Sequence, residues 1–323
     1  MPQAVRVTRT GGPEVLDVAE TEVGAPGAGD LLVDVAAAGV NYIDTYQREG
    51  IYPIELPFTL GLEGAGTVAE IGADVTGFAV GDRVAWQGAL GSYAQRALVP
   101  AGIAVRVPDP VSDEVAAATL LQGVTAHYLV ASTYPVSDGD TILVHAAAGG
   151  VGLLLIQLAK ARGARVIGTV STEEKDQLAR GAGADEVIRY DRVDFAEAVR
   201  ELTGGEGVSV VYDGVGKSTV DGSLKSLKRR GLLALFGAAS GAVPPIDPQR
   251  LNAGGSLYLT RPTAADYTAT REELDWRAKD LFDAVADGTL DIRIGGRYPL
   301  ADVRTAHEDL QGRRTTGKLL LIP

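Results

Sequence analysis

Twelve consecutive residues carry most of the chemical information: Thr141-Ile142-Leu143-Val144-His145-Ala146-Ala147-Ala148-Gly149-Gly150-Val151-Gly152, with an apolar-periodic stretch behind them. A strand, a glycine-rich turn and a helix N-terminus would gather backbone N–H groups and the positive end of a helix dipole at one point, which suits a pyrophosphate. Set on the G-x-G-x-x-G pattern, Ala147 takes the place of the first glycine, while Gly149 and Gly152 keep the other two. Gly149 would admit the phosphates to the backbone, and Gly152 would let the helix pack close to its strand. Alone, such a turn is also an ordinary strand-to-helix connection. The next predicted strand, Arg165 to Val170, shifts the balance. It ends in Thr169-Val170-Ser171-Thr172, with no Asp or Glu where NAD-binding sheets place a carboxylate for the ribose 2′-hydroxyl. Lys175 follows. Hydroxyls and a cation in place of a carboxylate favour a 2′-phosphate, and hence NADP; the competing reading of Lys175 is a solvated helix residue.

Other chemistries find no residues. The chain has 0 Cys, which excludes disulfides, cysteine nucleophiles and thiolate–metal sites. Catalytic zinc needs clustered ligands, and His127, His145 and His307 are scattered. His145 ends a predicted buried strand and His127 lies in a predicted helix, so both read as packed or hydrogen-bonded. No histidine accompanies a nucleophile-elbow pattern.

The elements that must position the turn are periodic. From Thr141 onward, strands and helices alternate: a strand to His145, a helix from Gly150 to Arg162 stopped by Gly163, and a strand from Arg165 to Val170. A helix from Glu173 to Gly181, a strand from Glu186 to Tyr190, a helix from Phe195 to Thr203 and a strand from Val208 to Tyr212 follow. Ser218 to Lys228 reads as a helix, and Leu232 to Phe236 and Ser256 to Thr260 as strands. This alternation demands a doubly wound parallel sheet. The first 120 or so residues are β-rich instead, in runs such as Leu31 to Val35, Gly66 to Ile71 and Arg83 to Trp86. A helix should follow Asn41-Tyr42-Ile43-Asp44, with Asp44 as its cap. Two helices are expected before the alternation, Asp113 to Leu121 and Thr125 to Ala131. After Arg261-Pro262 come a long helix, Arg271 to Asp287, a short β segment, a helix near Val303 to Leu310, and a final strand, Lys318 to Ile322. The simplest packing has the C-terminal part rejoin the N-terminal β domain, leaving a cleft against the parallel-sheet domain.

At roughly 150 residues per domain, 323 residues suggest two domains, and 46% hydrophobic residues supply a sizeable core. The formal charge of −12 gives an acidic surface that repels nucleic-acid backbones. A polyanionic cofactor therefore needs a local site. The N-terminus lacks a charged and then apolar leader pattern. Apolar stretches such as Val151 to Ala159 are too short to span a bilayer. The expectation is a cytoplasmic protein with no membrane or nucleic-acid partner.

Three segments resemble the frame of the medium-chain dehydrogenases/reductases: Gly61-Leu62-Glu63-Gly64-Ala65-Gly66-Thr67-Val68, Gly81-Asp82-Arg83-Val84 and the Ala-Gly-Gly-Val-Gly turn. Finer motifs are similar to the zinc-free quinone oxidoreductase branch, which includes the ζ-crystallins. They are Gly39-Val40-Asn41-Tyr42-Ile43-Asp44-Thr45-Tyr46, Leu257-Tyr258-Leu259-Thr260-Arg261-Pro262 and the terminal Leu319-Leu320-Leu321-Ile322-Pro323. The likeness runs the whole chain in order. Asn41 stands at a place that resembles a Cys position of zinc members, and Leu62 at one that resembles a His position. The cysteine-rich lobe of zinc members has no counterpart.

The resemblance implies a GroES-like β-rich catalytic domain from residues 1–124 and 263–323, and a Rossmann NADPH-binding domain over 125–262. It implies hydride transfer from NADPH to a quinone, and a homodimer joined through the edge strand around Tyr258. An NADPH-dependent alkenal or enone reductase is the neighbouring alternative. An NADPH-binding structural or RNA-binding protein is an alternative of another class, opposed by the acidic charge. By matching motif positions, Asn41 and Thr125 would line the nicotinamide region, and Gly149, Gly150, Val151 and Gly152 would hold the pyrophosphate. Ser171, Lys175 and Tyr190 would surround the adenosine 2′-phosphate. Val215, Phe236 and Gly237 would pass along the inner edge of the cofactor, and Lys318 would approach it from the C-terminal segment. Tyr46, Tyr52 and Arg261 are candidates for the substrate cleft, although Tyr52 could equally brace the loop at Pro53 and Arg261 could be a salt-bridge partner. Asn41 and Tyr46 are the expected donors to the oxyanion formed when a quinone accepts hydride.

Overall fold

A computed structural model describes residues 1–323. The chain forms two compact units, one from Met1–Val124 and Thr268–Pro323, the other from Thr125–Tyr267.

The first unit opens with strands β1 (Gln3–Val7), β2 (Leu16–Glu20) and β3 (Asp30–Val40), followed by helix α1 (Tyr42–Glu49). Strands β4 (Phe58–Thr59), β5 (Glu63–Ile71), β6 (Arg83–Gln87), β7 (Arg96–Pro100) and β8 (Ala104–Arg106) come next, and helix α2 (Asp113–Tyr128) closes this stretch. The second unit contains β9 (Thr141–Val144), α3 (Gly150–Lys160), β10 (Arg165–Val170), α4 (Glu173–Gly181) and β11 (Glu186–Arg189). It continues through α5 (Phe195–Leu202), β12 (Val208–Asp213), α6 (Val220–Ser226), β13 (Leu227–Leu235), α7 (Pro248–Ala253), β14 (Tyr258–Thr260) and α8 (Ala264–Tyr267). The chain returns to the first unit with α9 (Arg271–Ala286), β15 (Ile294–Pro299), α10 (Val303–Gln311) and β16 (Lys318–Ile322).

In the second unit six strands pair in the order β11-β10-β9-β12-β13-β14, all parallel. Every residue of β12 is buried, as are Ile142, Leu143 and Val144 of β9, because helices cover both faces of such a sheet. Strand order reverses direction between β9 and β12, and the crevice beyond the C-terminal ends of the strands at that point is where open sheets of this kind bind ligands. Thr172 caps α4 and Asp194 caps α5, each through a side chain accepting first-turn backbone N–H groups.

In the first unit the C-terminal strand β16 lies antiparallel to β3, with Leu319 opposite Val40 and Leu320 opposite Gly39. The register brings Lys318 beside Asn41. The larger sheet, β15-β16-β3-β5-β6-β8 with β7 on β3, packs Ala37, Ala65, Ala85 and Leu320 against α2 and α9.

Four local expectations change. Residues 113–128 form one helix, and a five-residue π turn, Leu129–Thr133, extends it. Gly123 does not break it; a Cβ there would lie 3.0 Å from Leu281 of α9, so this glycine admits close helix packing. The resulting run, Asp113–Thr133, is long and apolar enough to cross a membrane, unlike Val151 to Ala159, but its apolar stretch is 67% buried within the protein, as a core helix would be. Asp44 is the third residue of α1, not its cap. Asn41 is the cap, and the Asp44 carboxylate reaches back to the Asn41 N–H at 2.7 Å in a capping box. The helix expected to run to Lys228 ends at Ser226, because Leu227 already begins β13 and pairs with Val208.

Candidate active site

The second unit builds its site from strand ends. After β9 and His145 the chain enters the glycine-rich turn through Ala146, whose φ of 50° is left-handed, and Gly149 N–H donates to Ala146 O at 2.8 Å. Gly149 is the N-cap of α3, and no side chain caps that helix. The first helical bond runs from Leu153 N–H to Gly149 O at 2.9 Å, so the N–H groups of Gly150, Val151 and Gly152 lie ahead of the helical ladder. A Cβ on Gly152 would collide with the Ala146 and Ala147 backbone. A row of N–H groups that no side chain caps fits a pyrophosphate.

One strand further, β10 ends at Val170, paired with Arg189 of β11. Ser171 and Tyr190 are therefore neighbours at adjacent strand ends, and Tyr190 N–H donates to Val170 O at 3.2 Å. Lys175 lies in the first turn of α4, half-buried, where its backbone N–H donates to Thr172 Oγ1 at 3.3 Å. This corner combines hydroxyls and an ammonium, and its acids belong to α4 and the end of β11 rather than to the end of β10. On the other side of β9, Phe236 and Gly237 donate their N–H groups to Asp213 O at 2.9 and 3.4 Å, and Val215 N–H donates to Asp213 Oδ1 at 2.8 Å. Arg261 donates to Leu235 O at 2.8 Å, so its partner is a backbone carbonyl at the end of β13 rather than an acid. Thr125 is buried.

The first unit brings Asn41 and Lys318 together with Glu63, a residue to which the sequence reading gave no role. Asn41, Glu63 and Lys318 are 3%, 0% and 1% exposed, a degree of burial that charged groups tolerate only when paired. Lys318 Nζ donates to Asn41 Oδ1 at 2.7 Å and to Glu63 Oε2. Glu63 also accepts from Leu121 N–H at 2.7 Å and from Asn41 Nδ2 at 2.9 Å. The second Nδ2 proton of Asn41 goes to Gly39 O at 3.2 Å. Both amide protons are thus spent inside the cluster, and the expected role of Asn41 as a donor to substrate is not available in this arrangement. The clue to Glu63 was an acid amid glycines and apolar residues, Gly61 to Ala65. A Cβ on Gly39 would strike Glu63, Lys318 and the Ala117 carbonyl, so the ion pair is packed against bare backbone. Tyr46 and Tyr52 meet edge to face, ring centroids 5.6 Å apart, and Tyr42 lies 6.3 Å from Tyr46.

Next to this cluster, the Asp44 carboxylate accepts from Tyr93 Oη at 2.7 Å, as well as from Asn41 N–H, while its Oδ1 is buried without a partner. Burial raises the Asp44 carboxyl to about 7 despite those two bonds. Arg48 Nη1 lies 3.1 Å from His307 Nδ1, which must accept because a guanidinium only donates; the ring proton is therefore on Nε2, 3.4 Å from Tyr93 Oη. Burial, and then the Arg48 charge, lower His307 to about 3, so the ring is neutral.

Comparison with known proteins closes the question of family. Residues 27–109 match the alcohol dehydrogenase GroES-like domain family, and residues 150–276 match the zinc-binding dehydrogenase family. A quinone oxidoreductase of Pseudomonas aeruginosa is 46% identical over 100% of both chains. Among solved structures, a mycobacterial protein complexed with NADPH superposes with a TM-score of 0.97 at 55% identity, covering 99% of this chain and 100% of that one. Escherichia coli quinone oxidoreductase complexed with NADPH superposes with a TM-score of 0.98 at 45% identity, again covering 99% and 100%. The chain belongs to the medium-chain dehydrogenase/reductase family, in its quinone oxidoreductase branch. The name of the second matching family implies zinc, and the donor set of this family member does not fit it. No group of three or more His, Cys, Asp or Glu could hold a metal ion, Asn41 is hydrogen-bonded through its whole amide, and Leu62 has no donor atom.

Proposed function

We propose that this family member is a zinc-independent, NADPH-dependent quinone oxidoreductase. When bound, the nicotinamide would supply hydride to a quinone carbonyl system, giving a hydroquinone anion that takes up one proton from solvent. The first unit serves as the catalytic domain and the second binds the cofactor. The uncapped N-terminus of α3, next to a β10 end followed by Ser171 instead of an acid and by Lys175 in the first turn of α4, is the observation that carries the reading. Gly149, Gly150, Val151 and Gly152 hold the pyrophosphate, and Ser171, Lys175 and Tyr190 face the 2′-phosphate. Val215, Phe236 and Gly237 follow the cofactor's inner edge; Asn41, Thr125 and Lys318 serve the nicotinamide end. Tyr46, Tyr52 and Arg261 serve the substrate, with the Tyr46 hydroxyl as donor to the developing oxyanion now that the Asn41 amide is committed elsewhere.

The test is NADPH oxidation by the purified protein against a panel of quinones, alkenals and enones. Turnover confined to quinones is expected; turnover confined to alkenals or enones would replace the reading with a double-bond reductase.

The same reading takes the protein to be a cytoplasmic homodimer. Strand β14 pairs on one side only, with β13, and Tyr258 on it is 61% exposed, an open edge of the kind that proteins cover. Light scattering at micromolar concentration should give twice the chain mass, and Tyr258→Lys should shift the protein towards monomer. A wild-type monomer would refute the dimer.

A further inference from the structure

A buried hydrogen-bond chain crosses the second unit behind the strand ends. Thr169 in β10, His145 after β9, Ser223 in α6 and Asp213 at the end of β12 are each at most 2% exposed. Asp213 Oδ2 accepts from Ser223 Oγ at 2.8 Å, so the Ser223 proton is committed and its oxygen accepts from His145 Nε2 at 3.0 Å. That puts a proton on Nε2, and in the neutral ring Nδ1 then accepts from Thr169 Oγ1 at 2.8 Å. The chain is directional: Thr169 to His145, His145 to Ser223, Ser223 to Asp213. A neutral imidazole is what this order requires. Burial lowers the His145 pKa, in agreement with it, and Phe195 holds the ring edge to face at a centroid distance of 4.8 Å.

Both ends of the chain hold backbone turns. Asp213 Oδ1 accepts from Val215 N–H at 2.8 Å and Gly216 N–H at 2.9 Å, and Thr219 Oγ1 donates to both carboxylate oxygens at 2.9 and 2.8 Å. At the other end, Ala147 N–H donates to Thr169 O at 3.1 Å, and His145 N–H donates to Tyr212 O at 3.1 Å. Between them lies Ala146 in its left-handed conformation, which an L-residue with a Cβ adopts at a cost and keeps only when its surroundings hold it there.

We propose that this chain is a positioning device for the dinucleotide site: His145 and Ser223 transmit the fixed position of the Asp213 carboxylate to the strained entry of the glycine-rich turn, so that the turn and the Val215 loop are set together before cofactor arrives. His145, Ser223, Asp213 and Thr169 are positioning residues, not contacts of the cofactor. The inference rests on the NADPH-binding reading above.

Two substitutions that keep the shape of the site test it in the full-length protein. Ser223→Ala leaves His145 Nε2–H and Asp213 Oδ2 each one partner short; Thr169→Val removes the donor to Nδ1. Fluorescence titration with NADPH and NADH should show both dissociation constants raised together by roughly tenfold, about 1.4 kcal/mol. Meanwhile kcat at saturating NADPH should stay within about twofold, because remote positioning of the binding turns is uniform binding energy. Ser223→Thr, which restores the hydroxyl, should return both constants towards wild type. Dissociation constants that stay at the wild-type value in the folded variants, whatever their melting temperatures, would overturn the proposal, as would a Ser223→Thr protein as weak as Ser223→Ala. A loss confined to NADPH would also overturn it, since that would locate the effect at the 2′-phosphate alone. If either variant fails to fold, the other decides. A wild-type protein that binds neither dinucleotide would remove the cofactor reading itself, which is a different result from binding that the variants leave intact.

Discussion

At the scale of single residues, cofactor preference and buried charge give separate tests. Lys175 stands one helical turn beyond the end of β10, at the corner shared by Ser171 and Tyr190. A hydrogen bond from a charged donor is worth about 1.5–3 kcal/mol, so Lys175→Ala should reduce the NADPH over NADH preference by roughly ten- to a hundredfold. Affinity for NADH should hardly move. Steady-state kinetics with both cofactors check this, and an equal loss for both would assign Lys175 to the fold. Lys318 poses a different problem. Removing its ammonium by Lys318→Met leaves the Glu63 carboxylate in a fully buried place, which costs about 3–5 kcal/mol. Glu63→Gln combined with Lys318→Met removes the stranded charge and should recover much of that loss in urea denaturation. A single variant that loses less than about 1 kcal/mol would show that water reaches the pair. The absence of an acid at the end of β10 was legible from residue types alone. The Glu63–Lys318 pair was not, because it joins residues 255 positions apart and depends on the β16–β3 register.

At the scale of elements, the parallel-sheet unit was the readable half. Its strands are continuous apolar runs and its helices carry caps or apolar stripes, so β10 and α4 fall where the sequence places them, to the residue. The β-rich unit was legible only in fragments: β3 extends from Asp30 to Val40, well past the run read as strand, because its ladder partners β5, β7 and β16 are distant in sequence. The two helices read at Asp113–Leu121 and Thr125–Ala131 are one because Gly123 between them admits Leu281 of α9, and Asp44 misled because an acid at the third position of a capping box resembles a cap. One tight element-level dependence is the junction of β9 and α3. Gly152→Ala would press a methyl into the Ala146–Ala147 backbone and should cost about 1–3 kcal/mol of stability together with a raised KM for NADPH. Gly181→Ala, in α4 with nothing within 4 Å of the added Cβ, is the matched control. It should be neutral or stabilising by up to about 1 kcal/mol. Equal behaviour of the two variants in melting and kinetics would remove Gly152 from the cofactor turn.

At the scale of the whole molecule, the buried Asp44–Tyr93–His307 line should imprint two opposite slopes on stability against pH. Asp44 has an ordinary value of 3.8 and is raised by burial to about 7. The native state therefore holds this proton more tightly than the unfolded chain does, and Asp44 costs nothing below 3.8. Its penalty grows as pH rises through the folded value and is complete above about 7, on the order of 4 kcal/mol at 1.36 kcal/mol per unit. His307 is lowered from 6.5 to about 3, chiefly by burial. Its contribution is fully present above 6.5 and is lost as pH falls towards 3, because only the unfolded chain then takes up the proton. Between roughly 4 and 6.5 the two oppose each other, so the wild-type curve hides both, and difference curves expose them. Asp44→Asn keeps an oxygen to accept from Asn41 N–H and Tyr93 Oη but cannot ionise. Wild-type stability minus that of Asp44→Asn should fall steadily from pH 4 to 7.5. His307→Gln keeps an acceptor for Arg48 and a donor for Tyr93, and wild type minus that variant should rise from pH 4 to about 6.5 and then level off. Urea denaturation at half-unit pH intervals measures both. Difference curves that stay flat would mean that neither group is shifted. Slopes of the same sign would mean that the proton resides elsewhere on the line than the hydrogen-bond geometry places it.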